Sequence, residues 1–129
     1  MTTWVWLDER VALAVHEHVL VLHGGLAGVK DAGLLNSALA RPKNLSAYVD
    51  TADVIDLAAA YTAGIVKDHP FLDGNKRTGF VLGILFLELN GAQFAASEEA
   101  AVQAVIGLAP GKLDDAGYAA FLRENTTAE

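Results

Sequence analysis

Apolar residues recur along this chain in blocks separated by Gly, Pro and Asp, and their spacing within each block is helical. Asp8 can cap a first helix running to about His23, stopped by Gly24-Gly25. Val11, Val15, His18 and Leu22 fall on one face of it, broadened by Leu13 and Leu20. Asp31 can cap a short second helix with Leu34, Leu35, Ala38 and Leu39 inward, ended before Pro42. Pro42 to Asp50 reads as a polar connector carrying Tyr48. Thr51 can cap the next helix, to about Asp68, with Val54, Leu57, Ala58, Tyr61 and Ile65 at core spacing. Asn75 to Asn90 reads as a helix with Gly91 as its left-handed cap. It is apolar almost all round from Phe80 to Leu89, which predicts burial inside the domain. Ala92 to Ala95 is a short connection that can be extended. Ser97 can cap a helix through about Leu108, with Val102, Val105 and Ile106 inward, stopped by Ala109-Pro110-Gly111. Asp114 starts a last helix with Tyr118, Phe121 and Leu122 inward, and Thr126 to Glu129 should fray. About six helices and no convincing sheet predict an all-α fold, a compact bundle around the central buried helix at Asn75–Asn90.

Length and composition narrow what such a bundle can do. A chain of 129 residues predicts one domain over 1–129, and 53% hydrophobic with 19% charged residues is a globular composition. The longest apolar run is far short of the about 20 residues that span a bilayer, so no membrane is expected. A net charge of −7 disfavours direct nucleic-acid binding, which relies on Lys and Arg neutralising phosphates. With no cysteine, disulfides, thiolate catalysis and Cys-based zinc sites are out, and a cytoplasmic location is compatible. The N-terminal residues have neither the basic region nor the apolar stretch of a signal peptide.

Several apparent motifs fail on spacing. His16-Glu17-His18 puts its histidines two apart, off any shared helix face, and Leu20 stands where a His-Glu-x-x-His zinc motif needs histidine. Packing or solvent-facing roles are expected for these histidines. Gly107-x-x-x-Gly111-Lys112 is one residue short of a P-loop and is followed by Leu113 in place of Ser or Thr.

The chemistry gathers at His69-Pro70-Phe71-Leu72-Asp73-Gly74-Asn75-Lys76-Arg77. A tight turn delivers polar residues to the start of the buried helix. Free backbone N–H groups, the positive end of the helix dipole and two cations converge there, as an anion requires. His69 can act as a base near neutral pH, and Asp73 can hold a hard cation such as Mg²⁺. Asn75 can orient a phosphate or the metal's shell, Lys76 and Arg77 can bind phosphate oxygens, and the N–H groups around Gly74 can form an anion nest. Phe71 is expected to anchor the turn in the core and not to touch substrate. Each residue taken singly also has an ordinary structural role; it is their order at one helix start that points to phosphate chemistry.

The string His69-x-Phe71-x-Asp73-Gly74-Asn75-Lys76-Arg77 resembles the signature of the Doc (death-on-curing) branch of the Fic/Doc superfamily. A second stretch, Gly25-Leu26-x-Gly28-x-x-Asp31-x-Gly33-Leu34-Leu35-x-Ser37-Ala38-Leu39-Ala40-Arg41-Pro42, resembles Doc proteins as well. The resemblance implies an all-α fold with His69 as catalytic base, Asp73 as metal ligand, and Gly74, Asn75, Lys76 and Arg77 as phosphate ligands, with ATP and Mg²⁺ as cofactors. It implies a toxin that transfers the γ-phosphate of ATP to a threonine of elongation factor Tu, arresting translation. It also implies a separate antitoxin as partner, since the self-inhibitory Ser/Thr-x-x-x-Glu-Gly/Asn helix of other Fic proteins is missing from this chain. The segment comparable to Pro42–Asp50 is a target-aligning flap in the family; a plain surface loop is the alternative. AMP transfer is the rival enzyme assignment, but Lys76 stands where AMP-transferring Fic proteins usually carry Gly, and its longer side chain would crowd their anion pocket. A non-catalytic binding protein and a nuclease are further alternatives; an intact His69 and Asp73 speak against the first and the acidic charge against the second.

Overall fold

The computed structural model describes residues 3–108 and 113–128 of the chain. Six helices run in chain order: α1 (Glu9–His23), α2 (Ala32–Tyr48), α3 (Val54–Asp68), α4 (Asn75–Leu89), α5 (Glu98–Leu108) and α6 (Asp115–Glu124). Two short strands, β1 (Ala92–Phe94) and β2 (Thr126–Ala128), complete the described residues. Local chemistry sets most helix starts. Asp8, Asp31, Ser97 and Asp114 each accept a hydrogen bond from the N–H three residues on, satisfying a donor the helix cannot use.

Two helices form the centre. α4 buries Asn75, Thr78, Gly79, Leu82, Gly83, Phe86 and Leu87, while α3 is buried without a break from Leu57 to Val66. The two cross closely because α4 offers Gly79 and Gly83: a Cβ at Gly79 would come to 3.1 Å from the Thr62 carbonyl, and one at Gly83 to 3.1 Å from that of Ala58. α2, α5 and α6 pack on α3, and α1 packs on α4. The N-terminal segment lies along the same core. Trp6 stacks on Phe86 at 5.8 Å, and the Tyr61 hydroxyl accepts from the Leu7 N–H at 2.9 Å.

The structure departs from the sequence expectations at several elements. α2 does not end before Pro42 but carries it inside and runs on to Tyr48, so the expected connector 42–50 is mostly helix. Proline removes one N–H from the ladder. Packing on α3 offsets that loss: Pro42 is buried, and the Ala38 backbone is close enough to α3 that a Cβ on Gly64 would come to 3.0 Å from the Ala38 carbonyl. The cap of α3 is Asp53 and not Thr51, because Asp53 and Asp56 bond each other's backbone N–H reciprocally at 3.0 Å each way. Burial works against the charge on Asp53, but bonds from the Arg123 guanidinium and from Asp56 outweigh it and hold the carboxyl below its usual 3.8.

α1 turns a different face inward. Ala12, His16 and Val19 are buried, while His18 and Leu22 are exposed and Val11 and Val15 are only partly covered. In α2, Leu34 sits at the edge of exposure while Leu35, Ala38 and Leu39 are buried. In α5 the buried residues are Ala101, Val105 and Leu108, leaving Val102 and Ile106 exposed at 47% and 43%. The expected fraying of 126–129 is replaced over Thr126–Ala128 by antiparallel pairing with β1, Phe94 opposite Thr126. This gives the bundle a two-stranded sheet that was not expected. The expected stop at Ala109-Pro110-Gly111 lies outside the described residues.

Among the described residues, no helix is long and apolar enough to cross a membrane.

Candidate active site

The turn between α3 and α4 carries the motif. α3 ends at His69, whose φ of 55° and ψ of 54° put it in the left-handed region, the one non-glycine residue with positive φ among those described. Such a conformation costs about 1–3 kcal/mol and persists only where surrounding contacts enforce it. Here Pro70 follows and is buried, and the His69 N–H still bonds the Ile65 carbonyl at 3.1 Å. Phe71 is completely buried, as expected of an anchor.

Asn75 holds this turn from within. Its side chain accepts from the Phe71 N–H and donates to the Phe71 carbonyl, both at 2.9 Å, and the residue is only 3% exposed. The amide expected to meet phosphate or the metal's shell is thus directed into the loop. Gly74 is the N-cap of α4 in the left-handed region at φ 75°, and no side chain caps the helix. The first-turn N–H groups are therefore not taken by a capping side chain. Lys76 and Arg77 follow, both exposed and in no ion pair among the described residues.

Asp73 is exposed, and its carboxylate is fixed at both oxygens. Oδ1 accepts from the Gly74 N–H at 2.9 Å and Oδ2 from the Leu26 N–H at 3.2 Å. The second bond comes from the glycine-rich loop after α1, which lies antiparallel on the motif. Leu72 N–H bonds the Gly28 carbonyl at 3.1 Å, and Lys30 N–H bonds the Pro70 carbonyl at 2.7 Å. Gly25 permits the approach: its φ is 125°, and a Cβ there would sit 2.9 Å from Asp73 Oδ2. The loop also brings Lys30 to the site, its Nζ donating to Nδ1 of His69 at 3.4 Å. An ammonium only donates, so Nδ1 is the acceptor in this contact, on a residue that is itself exposed.

Among the described residues, no group of three or more His, Asp or Glu could hold a metal ion. Asp73 with open lone pairs fits Mg²⁺, which binds through one or two carboxylates with the remaining positions taken by water and substrate phosphates. It does not fit a resident metal held by protein alone.

Beside Lys76 and Arg77 a half-open cavity of about 600 Å³ runs between α1, α4 and α5. Leu22, Phe80, Val81, Val102 and Ile106 line it, with His18 and His23 also on its wall. The inward turn that α1 and α5 do not make is what leaves these residues here.

The structure thus leaves His69, Asp73, Lys76 and Arg77 exposed and Gly74 partly exposed along one turn, and sends the Asn75 side chain inward. Sequence reasoning missed three contributors: His16, whose ring lies on Phe71; the Leu26 N–H; and Lys30. Lys30 and Leu26 fall within the second family-like stretch, but nothing in their residue types marks them as neighbours of a turn 39 and 47 residues away.

The family described as Fic/DOC matches residues 6–87 of this chain. The chain is 32% identical over 117 residues to a protein of Escherichia phage P1 named "Protein kinase doc", covering 91% of this chain and 92% of that one. It is 40% identical over 77 residues to "Toxin Doc" of Mycolicibacterium smegmatis, covering 59% of each.

Proposed function

The chain belongs to the Fic/DOC family, and from that membership we propose that it is a toxin of a toxin–antitoxin pair that transfers the γ-phosphate of ATP to a protein hydroxyl. The family resemblance makes a threonine of elongation factor Tu the target, with arrest of translation as the outcome. The observation that carries the assignment is the arrangement at the start of α4: no side chain caps the helix, Lys76 and Arg77 are exposed beside its N-terminus, and His69 and Asp73 stand at the same turn.

Phosphoryl transfer needs neutralised phosphates, an aligned hydroxyl and a base. The first-turn N–H groups of α4, the helix dipole, Lys76 and Arg77 bind the phosphate chain. Asp73 would hold Mg²⁺ brought in with ATP, and the ion would supply neutralisation of phosphate charge. The target hydroxyl replaces Lys30 at Nδ1 of His69. His69 takes its proton there as the oxygen bonds the γ-phosphorus and ADP leaves. Lys30, released from His69, remains beside the transferred group as a third cation. Asn75 keeps the Phe71 backbone in shape and so acts through the loop and not by direct contact.

A separate antitoxin belongs to this function. The cavity between α1, α4 and α5 suits the C-terminal segment of such a partner as an amphipathic acidic helix. Its walls are mostly apolar, and Lys76 and Arg77 bring positive charge to its lining, which His18 and His23 also join. An occupant there would cover Lys76 and Arg77 and deny them to phosphate.

The test is transfer of label from ATP to elongation factor Tu with Mg²⁺, using label at the γ-phosphate in one reaction and at the α-phosphate in another. Label from γ alone is expected. Label from α would mean AMP transfer and overturn the role given to Lys76. Absence of label from both, with folded protein, would exclude this target.

A further inference from the structure

His16 takes no part in the transfer set out above, yet among the described residues it is the one buried histidine, 5% exposed on the inner face of α1. Its ring lies flat against Phe71, centroids 3.8 Å apart and planes within 7°. Its Nε2 is 2.8 Å from the backbone carbonyl oxygen of Asp73. A carbonyl only accepts, so Nε2 must carry the proton. Phenylalanine would also offer a flat ring to stack on Phe71, though a larger one. What histidine adds is a donor, and a buried donor is costly unless bonded.

The bond falls where it matters for the carboxylate. Asp73 is held at three points, two of them from other segments: its carbonyl by His16 of α1, Oδ2 by the Leu26 N–H of the loop after α1, and Oδ1 by the N–H of the adjoining Gly74. Main chain and side chain are both pinned, so the remaining lone pairs keep a fixed direction. A metal site with a single protein carboxylate has no second ligand to correct a misplaced first one. Groups that orient a lone ligand therefore control affinity.

The geometry points to His16 as a positioning residue for the metal-binding carboxylate: through its Nε2–H it clamps the Asp73 backbone and so sets the aim of the Asp73 side chain. This inference rests on the assignment of Asp73 as the Mg²⁺ ligand.

The experiment measures Mn²⁺ binding by electron paramagnetic resonance in the presence of a non-hydrolysable ATP analogue, with thermal melting alongside. The proteins are wild type, His16→Phe, His16→Gln and Asp73→Asn. His16→Phe keeps the stack and loses the donor, and is expected to weaken Mn²⁺ about tenfold. His16→Gln, whose side-chain amide can donate at comparable reach, is expected to recover most of that loss even though its melting temperature is lower, which a purely structural role would not produce. Asp73→Asn separates the two levels. If it binds Mn²⁺ like wild type, the ligand assignment fails and the inference with it. If it loses Mn²⁺ while His16→Phe does not, the inference alone fails. Should His16→Phe not fold, long-range proton–nitrogen NMR on the wild type decides. A protected Nε2–H that exchanges more slowly once Mg²⁺ and the analogue are added is expected. An Nδ1–H tautomer, or an Nε2–H indifferent to the addition, overturns the proposal.

Discussion

Thr62 of α3 donates its hydroxyl hydrogen to the carbonyl of Gly79 on α4 across 2.8 Å, deep in the core. The bond can exist because Gly79 and Gly83 lack side chains on the face that α3 meets. It fixes the separation of the two helices that carry His69 at one end and Asn75 at the other, and so sets the shape of the turn between them.

Gly83→Ala tests that crossing. The added Cβ collides with the Thr62 hydroxyl oxygen and approaches the Ala58 carbonyl to 3.1 Å, and backbone cannot yield as a flexible side chain can. Overpacking of this kind costs about 1–3 kcal/mol. A lowered unfolding midpoint in urea with an unchanged slope is expected; a midpoint equal to wild type would mean the helices can part without loss.

His69→Gly separates strain from chemistry. Glycine adopts the left-handed conformation of residue 69 without a Cβ penalty, so stability is expected to hold or rise by up to about 1 kcal/mol. Transfer is expected to fall at least ~100-fold with the base removed, as in His69→Ala, which should likewise remain folded. The γ-label assay and a thermal melt on the same preparations check both halves. Transfer at near wild-type rate would displace His69 from the role of base.

Gly25→Ala acts on the site from the other loop. Its Cβ would stand 2.9 Å from Asp73 Oδ2, and its φ of 125° is one that L residues rarely adopt. The loop or the carboxylate must move. Weaker Mg²⁺ binding is expected, read as a rise of about tenfold or more in the Mg²⁺ concentration giving half-maximal transfer.

Tyr118 gives a pH signature. Burial pushes its phenol from 10.0 up to about 12, with Thr62 nearby only partly opposing it. A raised folded value means the contribution to stability is whole below the unfolded pKa and is lost as pH rises through the folded one. Between pH 10 and 12 the loss is roughly 3 kcal/mol for this group. By geometry the buried hydroxyl makes no hydrogen bond among the described residues. Tyr118→Phe is therefore expected to be as stable as wild type or more so at neutral pH. It should also lose stability less steeply above pH 10, as followed by denaturant titrations at a series of pH values.

Much of this molecule can be read from residues close to one another in the chain. Asp8, Asp31, Ser97 and Asp114 start their helices through bonds to the third residue on. The helix at Asn75 and its cap at Gly91 follow from a contiguous apolar run closed by a glycine at φ 86°. The residues of the candidate site are contiguous too, so one turn carries them wherever it sits. The errors arise where the alternatives are locally equivalent. Apolar residues surround α1 nearly on all sides, so periodicity offered the Val11–Val15–His18–Leu22 face as readily as the one that is buried. Pro42 ends a helix in isolation but not when the turn around it is packed on α3. Thr51 and Asp53 can both cap, and Asp56, able to answer only Asp53, decides between them.

By itself, then, the sequence determined the helical character of the chain, most of its boundaries and the chemical identity of the motif, because these depend on bonds and periodicities spanning a few residues. The tertiary structure alone decided which histidine of α1 turns inward and that a glycine-rich loop delivers Lys30 to His69 and a backbone N–H to Asp73. It also decided that Asn75 faces the loop and that Thr126–Ala128 finds a partner strand at Ala92–Phe94. Each of these except Asn75 joins residues 32 or more positions apart in the chain. Such contacts form only when packing of the whole core has brought the segments together, and no local spacing encodes them.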